Sequence, residues 1–434
     1  MAKVVTEHDY ARGVEVLRNQ IDAKIASYLS SCVGCGLCAE ACLFYTETGD
    51  ARYTPIYKVE PMRRLWHREQ TVAGKLAKAF GFGRDLTEED FAEWQEMTYD
   101  SCTLCGRCSM VCPVGNDIAY MIRKQREAFS AAGYSPPGLQ GASQRALEIG
   151  SPMGVTWKAL SAQIGHVERA TGLTIPVDVQ GADYMTLFSS MEIMNFPEYI
   201  EAVARIFDAA GVSWTVSSKA FEATNSGIQI GSSEIARELV SRVVDAAEGL
   251  GCKHVISPEC GHAYTAIRWD GPNLIGRPYE FEVVHILELL DELRQQGRLE
   301  TEGFDERNLT FHDPCQIVRR GGVEEPPRNL LNMVAPNFKE MPDHGKMNWC
   351  CGGGGGLSAN EEAHDLRTTV FKVKKRQLEA TGVETMITAC ANCRIVMEEA
   401  LEHYEMPVVI EGVTELLAAH LKPKAGKTET AATE

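Results

Sequence analysis

Apolar and polar positions fall into two different rhythms along the 434 residues. In the first third the pattern is helical. Residues 9–30 (DYARGVEVLRNQIDAKIASYLS) read as helix, and Thr87 followed by EEDFAEWQEM reads as another, with Asp90 placed to complete a capping box. A further helix is expected from about Ile118 to Ala131. From residue 183 short apolar runs alternate with amphipathic stretches. YMTLF, PEYIEAVARIFDAAG and SWTVSS are followed by EIARELVSRVVDAAEGLG and KHVIS. NLTFH, PRNLLNMV, a long helix over about 360–380, TMITA, CRIVMEEALEHY and PVVI repeat the rhythm. Strands alternating with helices predict a mostly parallel α/β arrangement. An internal repeat supports duplication: GCKHVIS (251–257) aligns without gaps on GVETMIT (382–388). The expected fold class is α+β and multidomain, with a mostly helical first unit and a duplicated α/β unit with parallel-type strands. The expected divisions are 1–135, a Gly-, Pro- and Ser-rich linker with some helix at 136–182, two halves at 183–300 and 301–422, and a disordered tail at 423–434.

Charge narrows the function. Forty-three basic against 60 acidic residues leave a net charge of −17, which argues against a general nucleic-acid binder. No run approaches the ~18 apolar residues of a membrane-spanning helix, and the N-terminal MAKVVTEHDYARG has no secretory pattern. Fifteen cysteines without an export signal read as metal ligands or redox groups rather than a disulfide framework.

Eight of them form two runs of C-x2-C-x2-C-x3-C: Cys32, Cys35, Cys38, Cys42 and Cys102, Cys105, Cys108, Cys112, with Pro113 following. This is the bacterial ferredoxin spacing for [4Fe–4S] cubes. Three thiolates two residues apart on a tight turn can reach three corners of one cube. Gly34, Gly36 and Gly106 let the backbone approach it. Zinc sites commonly use two CxxC pairs at longer spacing. In two-cluster ferredoxins the fourth cysteine serves the other cube. Cluster one is therefore assigned Cys32, Cys35, Cys38 and Cys112, and cluster two Cys102, Cys105, Cys108 and Cys42.

The second repeat half holds five more: Cys315 in FHDPC, Cys350 and Cys351 in NWCCGGGGG, Cys390 and Cys393 in ACANC. Each falls near the end of a predicted strand, where ligands converge in parallel sheets. Gly352 to Gly356 would let backbone N–H groups wrap a cluster. A phosphate loop is disfavoured, because the Walker lysine is missing. Lys372, Lys374, Lys375 and Arg376 read as a solvated basic face. Arg319 and Arg320 read as contacts for an anionic substrate or an acidic partner tail. His312 and Asp313 are expected to cap the turn and hydrogen-bond near the cluster, and Cys252 to lie in the core.

With both motif sets in view, nearly the whole chain resembles the D-type subunit of heterodisulfide reductase. It resembles still more the DsrK-type subunits and their Hmc and Tmc relatives, in which a double ferredoxin domain precedes a CCG domain. The resemblance implies a noncubane [4Fe–4S] cluster on Cys315, Cys350, Cys351, Cys390 and Cys393, beside two cubanes. Gly352, Gly353 and His312 would serve as cofactor-binding residues. It implies reduction or oxidation of a disulfide- or persulfide-type substrate, with a DsrC-type sulfur-carrier protein as partner. It further implies an integral cytochrome b-type membrane subunit exchanging with quinone, and a cytoplasmic position on the inner-membrane face. The first half departs from the two-motif pattern. Glu259 stands opposite Cys390, His262 opposite Cys393, Ser190 near the first cysteine position and Asn225-Ser226-Gly227 near the pair. A second CCG cluster is therefore not expected. Cys260 and His262 read either as packed remnants or as groups facing the surviving cluster as ligand, proton donor or substrate contact. Two other readings are an iron–sulfur relay subunit of a glycolate, lactate or glycerol-phosphate dehydrogenase, and a non-catalytic electron wire.

Overall fold

The computed structural model describes residues 2–223 and 225–422, so the expected tail falls outside the described residues. The first third is helical. The 9–30 stretch is two helices, Tyr10–Gln20 and Ala23–Ser31. Asp22 breaks it by accepting a bond from Ile25 N at 2.8 Å as an N-cap. The Glu88–Tyr99 helix opens on the expected capping box between Thr87 and Asp90. The Ile118–Ala131 helix lies against Tyr10–Gln20 and Glu88–Tyr99. Stretch 136–182 is more helical than expected. Its helices Pro137–Ile149 and Trp157–Thr171 bury Leu139, Ala146, Leu160 and Ile164.

Two four-stranded parallel sheets follow. The first contains β1 (Tyr184–Thr186), β2 (Trp214–Thr215), β3 (His254–Ser257) and β4 (Glu282–His285), in the order β2-β1-β3-β4. The second contains β5 (Leu309–His312), β6 (Phe338–Lys339), β7 (Thr385–Thr388) and β8 (Val409–Gly412), in the order β6-β5-β7-β8. The two orders are the same, as a duplication requires. Strand pairing matches too: Thr186 pairs with Ile256 where Phe311 pairs with Ile387, and GCKHVIS and GVETMIT become β3 and β7. β4 and β6 are strands the sequence pattern left unassigned, both at sheet edges. The long 360–380 helix is three pieces: Glu361–Ala363, His364–Val370 and Lys372–Thr381.

The halves meet tip to tip. Ala391 N donates to the Glu259 carbonyl at 2.9 Å, and Glu198–Ala210 packs on Val413–Ala419. The helical unit is tied to the second half by buried polar contacts. Gln316 Nε2 donates to Leu104 O at 2.9 Å, Arg319 Nη1 to Cys105 O at 3.0 Å, and Arg107 stacks over Trp349 at 3.5 Å.

Candidate functional site

Two concavities in the helical unit each gather four cysteines. One is lined by Cys32, Cys35, Cys38 and Cys112, the other by Cys42, Cys102, Cys105 and Cys108. These are the two exchanged sets expected from the spacing. The turns are alike: Gly36 and Gly106 take left-handed backbone (φ 81° and 76°) just before the short helices Leu37–Glu40 and Arg107–Met110. Gly34 in the first run is also left-handed at φ 66°, but its counterpart Leu104 adopts φ 57° without being glycine. That conformation costs a non-glycine residue about 1–2 kcal/mol. Leu104 is held there by burial and by the Gln316 bond to its carbonyl. The second loop is therefore shaped partly by the α/β unit.

The five cysteines of the second half come off the carboxyl ends of β5 and β7 and out of the glycine loop. All five are free and buried. Their sulfurs are close neighbours, with those of Cys351 and Cys393 within 4.8 Å of each other. Cys315 Sγ lies 3.9 Å from Cys350 Sγ. Cys350 interacts with Cys351, Cys351 with Cys393, and Cys393 with Cys390. Cys105 of the helical unit also reaches Cys350, which joins the second concavity to this site. Sulfur donors push Cys350 and Cys351 toward thiolate. Cys390 is lowered to about 7, first by Cys393 and also by backbone N–H groups of Gly261, Cys393 and Asn392.

The glycine run serves mainly close packing. Gly353 N points at Cys351 Sγ (3.5 Å), whereas Gly355 N donates to His262 Nε2 (3.1 Å). A Cβ on Gly353 would lie 2.4 Å from Val396 Cγ2, and one on Gly355 2.9 Å from Cys102 O. Only a chain without side chains fits between the two units here. Gly352 is left-handed at φ 95°.

His312 is fully buried, and neither ring nitrogen has a partner among the described residues. It forms with Cys351 and Cys393 a trio whose ligand atoms lie within 4.8 Å of one another. Burial holds its imidazole neutral, well below its usual range. Asp313 is paired to Arg328 at 2.8 Å and accepts from Gly345 N at 2.7 Å.

The first half has lost the thiols but filled their places. Ser190, the counterpart of Cys315, donates to Glu222 Oε2 at 2.6 Å. Glu259, opposite Cys390, accepts from Thr414 Oγ1 at 2.6 Å. Cys260 has Asn225 Nδ2 at 3.7 Å and senses the charge of Cys390. His262 is half-buried against Gly354 and Gly355, and desolvation there takes its pKa down to about 3. Cys252 is a core residue. Beside Cys390 a small pocket is lined by Glu192, Glu259, Glu415, Tyr199 and Arg394. Burial raises Glu192 to about 8 and Glu415 to about 7. Glu192 Oε1, Tyr199 OH and Glu415 Oε2 have no partner among the described residues.

Three buried cations stand near the sulfurs, one misread in the sequence and two missed. Lys374 is not on a solvated face: it is 1 % exposed, donates to Gln377 Oε1 at 2.8 Å, and its charge faces Asp313, Cys351, Cys350 and Cys393. Lys58 Nζ lies 3.6 Å from Cys42 Sγ. Arg126 donates to the carbonyls of Cys102 (2.9 Å) and Gly355 (2.5 Å), bridging both sites. Arg319 and Arg320 are likewise committed inside the protein, to the carbonyls of Cys105 and Lys346 and to Asp117 respectively, and do not face a substrate.

Thirteen thiols gathered in three groups, an orphaned imidazole and buried cations beside the sulfurs are a donor set that fits iron–sulfur clusters. Residues 28–116 match the 4Fe-4S dicluster domain and residues 309–398 the cysteine-rich domain CCG. The fold and the sites thus define an iron–sulfur protein with two clusters in its helical unit and a CCG site in its α/β unit. The chain is 27% identical to the Hdr-like menaquinol oxidoreductase iron-sulfur subunit 2 of Archaeoglobus fulgidus, over 90% of this chain and 79% of that one. It is 26% identical to the D-type subunit of the dihydromethanophenazine:CoB–CoM heterodisulfide reductase of Methanosarcina acetivorans, over 91% of this chain and 94% of that one. The EtfAB:quinone oxidoreductase of Syntrophomonas wolfei is 27% identical over 87% of this chain and 56% of its own length. Over about nine-tenths of its length the chain is thus similar to heterodisulfide-reductase-like iron–sulfur subunits.

Proposed function

We propose that this chain is the electron-transferring subunit of a membrane-associated respiratory complex, and that it reduces or oxidises a disulfide- or persulfide-type sulfur substrate at the CCG site. One observation carries the reading: five buried cysteines gather at the carboxyl ends of β5 and β7 beside the glycine loop, and Cys105 of a ferredoxin loop interacts with Cys350 among them. Cys32, Cys35, Cys38 and Cys112 hold one cubane, and Cys42, Cys102, Cys105 and Cys108 the other. Cys315, Cys350, Cys351, Cys390 and Cys393 hold the third cluster, with His312 in reach of it. A noncubane [4Fe–4S] group on these thiolates supplies one-electron chemistry to an S–S bond.

The chain's own residues do the rest. Burial of all five cysteines excludes water. Lys374 keeps a positive charge opposite the thiolates. Reduction of a disulfide consumes two electrons and two protons and releases two thiols. Glu192, raised to about 8, and Glu415, raised to about 7, hold protons beside Cys390 at and just below neutral pH, and Arg394 connects Glu415 to the exposed Glu198 and the half-buried Glu398. Cys260 and His262 support the pseudo-symmetric wall, His262 by fixing Gly355. At the other end Cys35 is exposed, rimmed by exposed Val33, Leu37 and Val114. That face suits contact with a cytochrome b-type quinone-reactive membrane subunit. The names of the Archaeoglobus and Methanosarcina relatives, a menaquinol and a dihydromethanophenazine enzyme, support such a partner. A DsrC-type sulfur-carrier protein is the proposed substrate, and the cytoplasmic face of the inner membrane the proposed location. The test is anaerobic single turnover: dithionite-reduced protein mixed with carrier-protein disulfide should reoxidise and yield thiols, and Cys350→Ser should reoxidise its cubanes no faster than buffer. Equal reoxidation in the variant would refute the site.

The similarity to EtfAB:quinone oxidoreductase favours a second reading, an electron relay from a flavoprotein. Rapid cubane reduction by a reduced electron-transferring flavoprotein, with no reaction toward any disulfide, would select it.

A further inference from the structure

The helix Val72–Ala79 is amphipathic in the wrong sense for a soluble protein. It buries no residue. Its inward side is small: Gly74 lies so close to the preceding helix, Glu60–Gln70, that an added Cβ would sit 1.8 Å from His67 O. Its outward side is apolar. Val72, Leu76 and Phe80 recur every four positions and are 77 %, 55 % and 74 % exposed, and Phe82 follows at 69 %. With Ala73 and Ala79 they fill an arc of roughly 120° around the axis. The tip is rigid. Phe82 N donates to Ala77 O at 2.8 Å, Gly81 and Gly83 take left-handed backbone, and Arg68 Nη1 holds Phe82 O at 2.9 Å. Phe80 and Phe82 are therefore held out in water by a built structure, which a lone exposed side chain would not need.

Charge selects the occupant. Residues 71–84 contain Lys75, Lys78 and Arg84 and no acidic residue, in a chain of net charge −17. Lys75 borders the apolar arc and has no ion-pair partner among the described residues, whereas Lys78 stands further round the same side, 3.8 Å from Glu69 and 3.9 Å from Asp85. A chain this acidic is repelled by an anionic surface except through such a patch. A protruding ridge of phenylalanine and leucine with a free lysine at its border is the pattern of helices that lie in the lipid interface. We propose that the Val72–Phe82 ridge docks on an anionic lipid bilayer, with Val72, Leu76, Phe80 and Phe82 entering the headgroup boundary and Lys75 and Lys78 meeting lipid phosphates. The inference deepens the membrane-associated reading above and rests on it. It requires no catalytic role of the CCG site.

The test uses the cluster-loaded full chain and lipid alone. Protein is sedimented with phosphatidylcholine vesicles and with mixed phosphatidylcholine–phosphatidylglycerol vesicles, for wild type, Phe80→Ser/Phe82→Ser and Lys75→Glu/Lys78→Glu. Wild type should partition to the anionic vesicles, less so in high salt. Each variant should lose about tenfold in partitioning, about 1.4 kcal/mol, with unchanged cluster absorbance and unchanged disulfide turnover with a soluble electron donor. Failure of wild type to bind protein-free anionic vesicles would overturn the proposal, as would equal binding by the variants. So would wild-type dimerisation abolished by Phe80→Ser/Phe82→Ser in the absence of lipid, which would assign the ridge to a second copy. Loss of disulfide turnover with binding intact would count against the catalytic reading alone.

Discussion

Replacing Lys374 with methionine probes how the α/β unit sets the electrochemistry of its cysteine site. The side chain is 1 % exposed, and burial is the first cause that takes its amine from 10.5 to about 8. Below pH 8 the folded chain carries that charge at a cost of about 3 kcal/mol. The cost shrinks as pH rises from about 8 to 10.5 and vanishes above, because only the unfolded chain still binds the proton there. A charge this expensive is retained opposite Asp313, Cys351, Cys350 and Cys393. At an effective dielectric constant near 20, two unit charges roughly 5–8 Å apart interact by about 2–3 kcal/mol. For a one-electron couple that is on the order of 100 mV. Lys374→Met should therefore lower the midpoint potential of the third cluster by that amount in an anaerobic redox titration followed by EPR, and leave both cubane potentials in place. The wild-type potential should fall as pH rises above about 8, toward a variant value that is flat with pH. Lys372→Met, an exposed neighbour on the same helix, should change nothing. A Lys374→Met potential within 20 mV or so of wild type, measured on fully loaded protein, would refute the electrostatic role.

Gly353→Ala should destabilise the protein by about 1–3 kcal/mol through overpacking, because its Cβ meets Val396 Cγ2 at 2.4 Å. Adding Val396→Ala should relieve part of that loss, and cluster-bleaching rates in urea that are strictly additive would contradict the packing. Glu192→Gln should flatten the loss of thermal stability as pH rises from about 4.5 to about 8. A carboxyl raised by burial stabilises the fold while protonated, and that contribution disappears as it ionises. Glu415→Gln should slow disulfide turnover several-fold and remove its decline above pH about 7. A variant with the wild-type pH profile would take the proton-holding role away from Glu415. Arg319→Met should loosen the Cys105 loop that Arg319 Nη1 ties at 3.0 Å, and slow electron arrival at the third cluster in stopped-flow more than it slows cubane reduction.

The sequence was most readable where chemistry dictates spacing. C-x2-C-x2-C-x3-C admits few geometries, so the eight ferredoxin cysteines and their gathering into two sets followed from it. The duplicated α/β architecture was legible because β3 and β7 are aligned apolar runs buried in their sheets. Edge strand β4 escaped because it runs without a break into the apolar positions of the helix Ile286–Gln295, and β6 because two residues leave too few positions for a rhythm. The break at Asp22 was hidden inside a continuous helical pattern, although an aspartate three residues before Ile25 is the residue that caps a new start. Lys374 was misread because it sits among three other basic residues. Its place between Val370 and Leu378, four residues from each on the buried stripe, was the available signal. The role of the glycine run was half visible. That its backbone must pass close to something is inherent in five glycines, but that the neighbours are Cys102, Thr103 and Val396 depends on contacts between distant segments.

The central claim is that the CCG cysteines carry a third, redox-active cluster wired to two cubanes. Iron and acid-labile sulfide analysis of anaerobically purified protein, with EPR of the thiol-oxidised state, tests it most directly. The account predicts about twelve irons per chain, and a paramagnetic oxidised species lost in Cys350→Ser and Cys390→Ser while the cubane signals persist. About eight irons in fully loaded protein, with only reduced-cube signals, would contradict it.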